Sequence, residues 1–176
     1  MKKLLALGMA LVLMMSLFAS AEIIGNIYVN TDLHVAVTAP DGWTLEKGSK
    51  NLPEATLGDS VDLVTVRIDD GDNLIVGAIY VGAFSSFLTP DLMLTSIEES
   101  AVSEYASYGI TPVVERSTVT FMGEECESLM FTGKLFGTDF CQRFIYVIDG
   151  DYMLSVVSTS FTPEQVDYML TFVNKI

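Results

Sequence analysis

The sequence predicts an α+β fold, a largely antiparallel sheet of about six to eight strands with two amphipathic helices to cover it. Three observations predict it. Asp70-Gly71 and Asp149-Gly150 sit between β-rich runs as hairpin signals. Thr89-Pro90 and Thr162-Pro163 each pair a capping side chain with a proline suited to the first helical position. Between those helix starts four β-rich runs follow one another, so hairpins dominate.

The elements follow in order. "NIYVN" and "LHVAVTAP" read as two short strands about Thr31-Asp32. "DGWTLEKGSKNLPEATLGDS" is polar, carries Gly and Pro, and reads as a long loop. "VDLVTVRI" and "NLIVGAIYVG" flank the Asp70-Gly71 turn. "LTPDLMLTSIEESAVSEYASYG" is the first helix, capped by Thr89 and ended by Gly109. Leu94, Ile97, Ala101, Tyr105 and Tyr108 recur at steps of three and four and form its apolar face. Then come "PVVERSTVTFM", "ECESLMFTGK", "TDFCQRFIYVI" and "DYMLSVVSTS" as strands. The final helix starts at Thr162, with Gln165 completing a capping box, and Val166, Met169, Leu170 and Val173 share a face.

The N-terminus reads as a secretory signal peptide over residues 1–21. Lys2 and Lys3 precede an apolar run from Leu4 to about Ala19, and Ala19-Ser20-Ala21 supplies a small-x-small site. Cleavage is expected between Ala21 and Glu22, leaving residues 22–176 as one exported α+β domain without stable membrane insertion. The net charge of −14 becomes more negative once both lysines leave. Such a surface repels nucleic acid and anionic membranes and favours solubility, basic partners or cations.

Cys126 and Cys141 are the two cysteines. A β-turn at Phe136-Gly137 sets Cys141 opposite Thr132 and Cys126 opposite Val147. The thiols then lie on one face on the order of 20 Å apart, too far for a disulfide. A turn at Gly133-Lys134 would instead set Cys126 opposite Cys141 and permit a disulfide, but the first register leaves "GTDFCQRFIYVI" one uninterrupted strand, so two buried free thiols are expected.

The order of a strand entering "PDGW", a long loop, a hairpin, a Thr-Pro helix, "VTFMGEECESLMFTG" and a closing capped helix resembles the Mog/PsbP-like family. Pro40, Gly42 and Trp43 match its P-x-G-W entry. Gly123, Tyr146, Gly150 and Phe172 fall where members carry Gly or an aromatic. The resemblance runs from about Asn26 to Ile176 and takes in exported bacterial proteins of unknown role. It implies an α-β-α sandwich and a docking or binding module more than a catalyst. The segments tied to PsbP's cofactor and Mog's Ran-binding surface have no counterpart, so neither activity carries over. On this reading Trp43, the sole tryptophan, folds back over the end of the sheet and closes the core.

His34 is the only histidine. Alternation places it on the strand face opposite Leu33, Val35 and Val37. A dyad with Cys126 or Cys141 requires proximity that only the fold can supply. No G-x-S-x-G elbow is present for a serine triad. Asp69, Asp70 and Asp72 crowd one turn, and their oxygens could serve a weak cation site, but the full calcium-loop spacing is absent and a solvated hairpin tip is the better account of them. The expectation is a secreted, non-enzymatic binding or adaptor domain with no cofactor and with a protein or small molecule as partner. The alternatives are an extracytoplasmic enzyme using His34 or a thiol, and cation binding through the three aspartates.

Overall fold

The computed structural model describes residues 21–48, 52, 56–68 and 71–176. The signal segment over residues 1–20, together with Asp69 and Asp70, lies outside the described residues. The strands are β1 (Ala21–Ile24), β2 (Ile27–Asn30), β3 (Val35–Thr38), β4 (Thr44–Lys47), β5 (Ser60–Arg67), β6 (Asn73–Tyr80), β7 (Val113–Phe121), β8 (Glu124–Leu135), β9 (Thr138–Asp149), β10 (Tyr152–Ser160) and β11 (Val173–Lys175). The helices are α1 (Pro90–Ser107) and α2 (Pro163–Leu170). A 3₁₀ turn spans Gly82–Phe84.

The α+β class and the antiparallel pairing hold, but the strands divide between two sheets. One is seven-stranded, in the order β4-β5-β6-β10-β9-β8-β7, and the other is four-stranded, in the order β1-β2-β3-β11. The expectation put every strand in one sheet; β2 and β3, the first two strands read from the sequence, lie instead in the smaller one. The second sheet was not expected, because two of its four strands give little signal in the sequence. β1 falls at the predicted cleavage point and β11 is three residues long. β4, on the edge of the larger sheet, lies inside the segment read as a loop.

Side-chain alternation gives the larger sheet two apolar faces. Leu129 and Phe131 on β8, with Phe144 and Tyr146 on β9, meet Leu94, Ile97 and Tyr105 of α1. The opposite face carries Met130, Ile145, Leu154 and Val156, which pack with Tyr28, Val35 and Val37 of the smaller sheet and with Val166 and Met169 of α2. One face is therefore covered by a helix, and the other by a second sheet together with a short helix.

Local chemistry explains the elements that the sequence announced. Thr89 accepts a hydrogen bond from the Leu92 amide (3.2 Å), and Thr162 accepts one from the Gln165 amide (3.2 Å). The β8–β9 turn falls at Phe136-Gly137, both with positive φ (52° and 86°), the pattern of a type I′ turn. Thr132 pairs with Cys141 as expected. The β9–β10 turn sits one residue later than expected. Asp149 pairs with Tyr152, so Gly150-Asp151 makes the turn. α2 stops at Leu170, with Thr171 as its C-cap. Val173 is a residue of β11, not of the helix, and it pairs with Val37.

Arg143 is buried on the α2 side of the larger sheet. Its Nε donates to Asp167 (2.9 Å), and its Nη1 donates to Ser128 (2.7 Å) and Ser117 (3.1 Å). This arginine reads as one of the alternating polar positions of a half-exposed strand. The fold covers it because α2 brings Asp167 to it, and a buried guanidinium requires such partners.

Candidate functional site

Among the concavities of the described residues, two stand at separate places on the fold. The smaller is a cleft of about 70 Å³ between the ends of the two sheets. His34, Phe121, Cys126, Asp149 and Lys175 line it. His34 is the last residue of the β2–β3 loop and not a strand residue, which corrects its expected place. The loop is set by Asn30, whose side-chain oxygen accepts from the Asp32 and Leu33 amides (3.1 Å each). His34 takes a φ of 49°, and Met122, also on the cleft wall, one of 51°. Positive φ at residues that are not glycine is uncommon and costly. His34 Nδ1 lies 3.1 Å from Asp149 Oδ2 at the end of β9. Lys175 Nζ reaches Glu124 Oε1 at 3.1 Å on the same rim.

The cleft thus unites His34 with Asp149 and places Cys126 in its wall, but no hydrogen bond joins the thiol to the imidazole among the described residues. The thiol chemistry runs against a nucleophile. Burial raises the Cys126 pKa, and the charges of Glu124 and Glu125 add to the rise. A raised pKa leaves less thiolate at neutral pH, whereas a working nucleophile needs more. Alkylation of native Cys126 by iodoacetamide is therefore expected to be slower at neutral pH than that of a small free thiol, and to climb steeply as the solution becomes alkaline. A rapid rate that stays flat between about pH 5 and pH 8 would mark an activated thiolate and overturn this reading.

Cys141 is buried among the residues of the α2 side, on β9 and away from the His34 cleft. Burial again raises its pKa, with Asp139 and Glu164 contributing. Cys126 is half-buried, not fully buried as expected, and both thiols are free. Of the aspartate turn, Asp72 is described, and its carboxylate accepts the Ser160 hydroxyl at 2.6 Å. Among the described residues no group of three or more His, Cys, Asp or Glu side chains is placed to hold a metal ion. Trp43 packs edge-on against Phe172, with ring centroids 5.3 Å apart. It is half-buried against the core, on the side of the smaller sheet and α2.

The larger concavity is an open groove of about 810 Å³. The start of β7, the β8–β9 hairpin and the loop into α2 enclose it, with Ile110, Val113, Phe140 and Phe161 among its walls. Apolar surface is exposed around it. Val113 is 68% exposed and Phe161 45%, and Phe136, at the tip of the adjoining hairpin, is 94% exposed. Phe136 also occupies a left-handed turn position that asparagine or glycine would hold without strain. In the sequence this region shows only an aromatic in a turn position, which sets the β8–β9 register and does not announce a groove.

No protein-family model matches the chain, and none of the curated proteins matches it. Among solved structures, one from Bacteroides thetaiotaomicron VPI-5482 is similar at a TM-score of 0.49 and 12% identity, over 88% of this chain and 49% of that one. The chain spans about half the length of that structure. LpqN of Mycobacterium tuberculosis, a protein involved in cell envelope biogenesis, is similar at a TM-score of 0.38 and 13% identity, over 80% of this chain and 82% of that one. Both are distant likenesses in fold. The resemblance to the Mog/PsbP-like family draws no support from a family model or a curated relative. No helix among the described residues is long and apolar enough to cross a membrane.

Proposed function

We propose that this protein is an extracytoplasmic, non-enzymatic binding or adaptor domain whose partner engages the open groove. The observation that carries the reading is the groove whose walls include the exposed Val113 and Phe161, with Phe136 exposed at the tip of the hairpin that forms one of those walls. On a chain with a net charge of −14, apolar side chains gathered at one concavity mark an interaction surface. The left-handed backbone at Phe136 adds to this, because strain persists where the residue serves a purpose that a relaxed one would not. Export rests on the signal-peptide pattern, and kinship with the Mog/PsbP-like family rests on the P-D-G-W entry and the element order.

A photo-crosslinking amino acid at position 136, in protein expressed with its leader in the native cell, tests this. It is expected to trap one discrete adduct, and the same probe at Asp41, on the turn before Trp43, is expected to trap none. Diffuse labelling alike at both positions would remove the groove as a binding site.

The second reading, an enzyme using His34, is favoured by the His34–Asp149 pair in a cleft with two left-handed residues. The raised Cys126 pKa weighs against a thiol as its nucleophile.

A further inference from the structure

β7 forms one edge of the seven-stranded sheet and pairs with β8 alone among the described residues. It is nine residues long, whereas β4 at the opposite edge and β1 at the edge of the smaller sheet have four each. Long edges are normally blunted by a bulge, a proline or a lysine. β7 has no bulge, proline or lysine, and its charged residues are Glu115 and Arg116, the latter drawn to α1. Its register with β8 runs unbroken from Val113 to Phe121, and its sequence is VVERSTVTF.

The turn that closes this hairpin shows which main-chain groups face outward. Met122 and Gly123 both have positive φ (51° and 82°), the type I′ pattern, so Phe121 and Glu124 exchange both of their main-chain hydrogen bonds. Counting back, Ser117 and Val119 also point their amides at β8. The amides and carbonyls of Val114, Arg116, Thr118 and Thr120 point away from the sheet. No hydrogen bond among the described residues reaches those outward groups.

The surroundings are acidic. Glu127 stands opposite Thr118 and Glu125 opposite Thr120, and both are exposed, as is Glu115 on β7 itself. Arg116, the cation of the strand, is taken up by α1: it donates to Asp91 (2.6 Å), Glu98 (3.0 Å) and Thr95 (2.8 Å). β7 begins at Val113, in the wall of the apolar groove.

We propose that an extended, basic segment of a partner protein adds to the sheet as a strand beside β7. Main-chain bonds to the outward row supply the pairing, and the glutamates select lysine or arginine. Charge decides against a second copy of this chain, which would bring the same acidic edge to its own. The proposal rests on the binding-domain reading above and names the partner's chemistry.

The test uses a peptide as long as β7 that alternates lysine with valine or threonine, and the same peptide with glutamate for lysine. Saturable binding of the lysine peptide is expected, with slowed hydrogen exchange at the amides of Val114, Arg116, Thr118 and Thr120. The glutamate peptide is expected to bind at least about tenfold more weakly. Thr118→Pro removes one outward donor without touching the β8 ladder, so it is expected to fold and to weaken the lysine peptide by about tenfold or more. Thr120→Pro does the same one step along, and circular dichroism establishes that each variant is folded. Four results would each overturn the proposal: no saturable binding, equal binding of the glutamate peptide, binding unaffected in both folded proline variants, or a concentration-dependent dimer that Thr118→Pro abolishes. If both proline variants bind as the wild type does while residue 136 still traps its adduct, the groove reading survives and the edge reading does not.

Discussion

Replacing Phe131 with alanine is expected to lower the stability of the fold by about 3–5 kcal/mol. Phe131 is fully buried on the α1 side of β8. Its ring meets Tyr105 of α1 edge-on at 5.6 Å and Phe144 of β9 at 5.8 Å, with an interplanar angle of 86°. Truncation removes the buried area and both edge-to-face contacts. It also leaves a cavity that cannot collapse, because β8 is hydrogen-bonded on both sides, to β7 and β9. The loss is a large part of the total stability of an ordinary domain. Urea unfolding of the variant measures it, and a loss under about 1 kcal/mol would mean that α1 does not depend on this ring for its seat.

Trp43→Ala is expected to cost about 3 kcal/mol, the lower end of the range for large aromatics, because the ring is half-buried. Its worth lies in what it joins. The Trp43 amide donates to the Pro40 carbonyl (3.0 Å), which closes the Asp41-Gly42 turn. The indole meets Phe172 edge-on, and Phe172 in turn meets Tyr168 of α2 at 5.0 Å. The Phe172 carbonyl accepts the Thr38 amide (2.9 Å) at the end of β3. One side chain therefore fixes the junction of β3, β4 and α2. Tryptophan fluorescence of the wild type is expected to lie to the blue of free indole and to resist iodide. A variant within about 1 kcal/mol of the wild type, with emission that is red-shifted and readily quenched, would make Trp43 a surface anchor.

The elements legible in the sequence are those whose signals are local. Thr89 and Thr162 cap as their Thr-Pro contexts predict, and Phe136-Gly137 fixes the β8–β9 register through two backbone angles. What was illegible depends on distant partners. β4 is Thr-Leu-Glu-Lys, with no apolar alternation to announce it, and it is a strand because β5 offers an edge. Val173 fits a helical face and a strand face equally well, and pairing with Val37 decides the matter. The candidate sites were harder still. His34 was visible as the sole histidine, but Asp149 lies far along the chain and meets it only across two sheets. Phe136 was visible as a turn residue, and nothing local indicated that Val113 and Phe161 would line a groove walled by the same hairpin.

The pairing of β3 with β11 sets the order in which the molecule can be finished. All seven strands of the larger sheet lie between these two partners in the chain. A polypeptide that emerges amino end first, from a ribosome or a pore, can form the β1–β2–β3 meander early. It must then hold that meander open while every later strand arrives. The contact is among the longest-range in the fold, and its loop-closure entropy is met only after the rest has condensed. Until then the apolar side of the meander, with Tyr28, Val35 and Val37, has neither α2 nor β11 against it. Completion of the smaller sheet is thus expected to come late in folding. A chain arrested before residue 173 is expected to expose that apolar side and to aggregate more readily than the full chain.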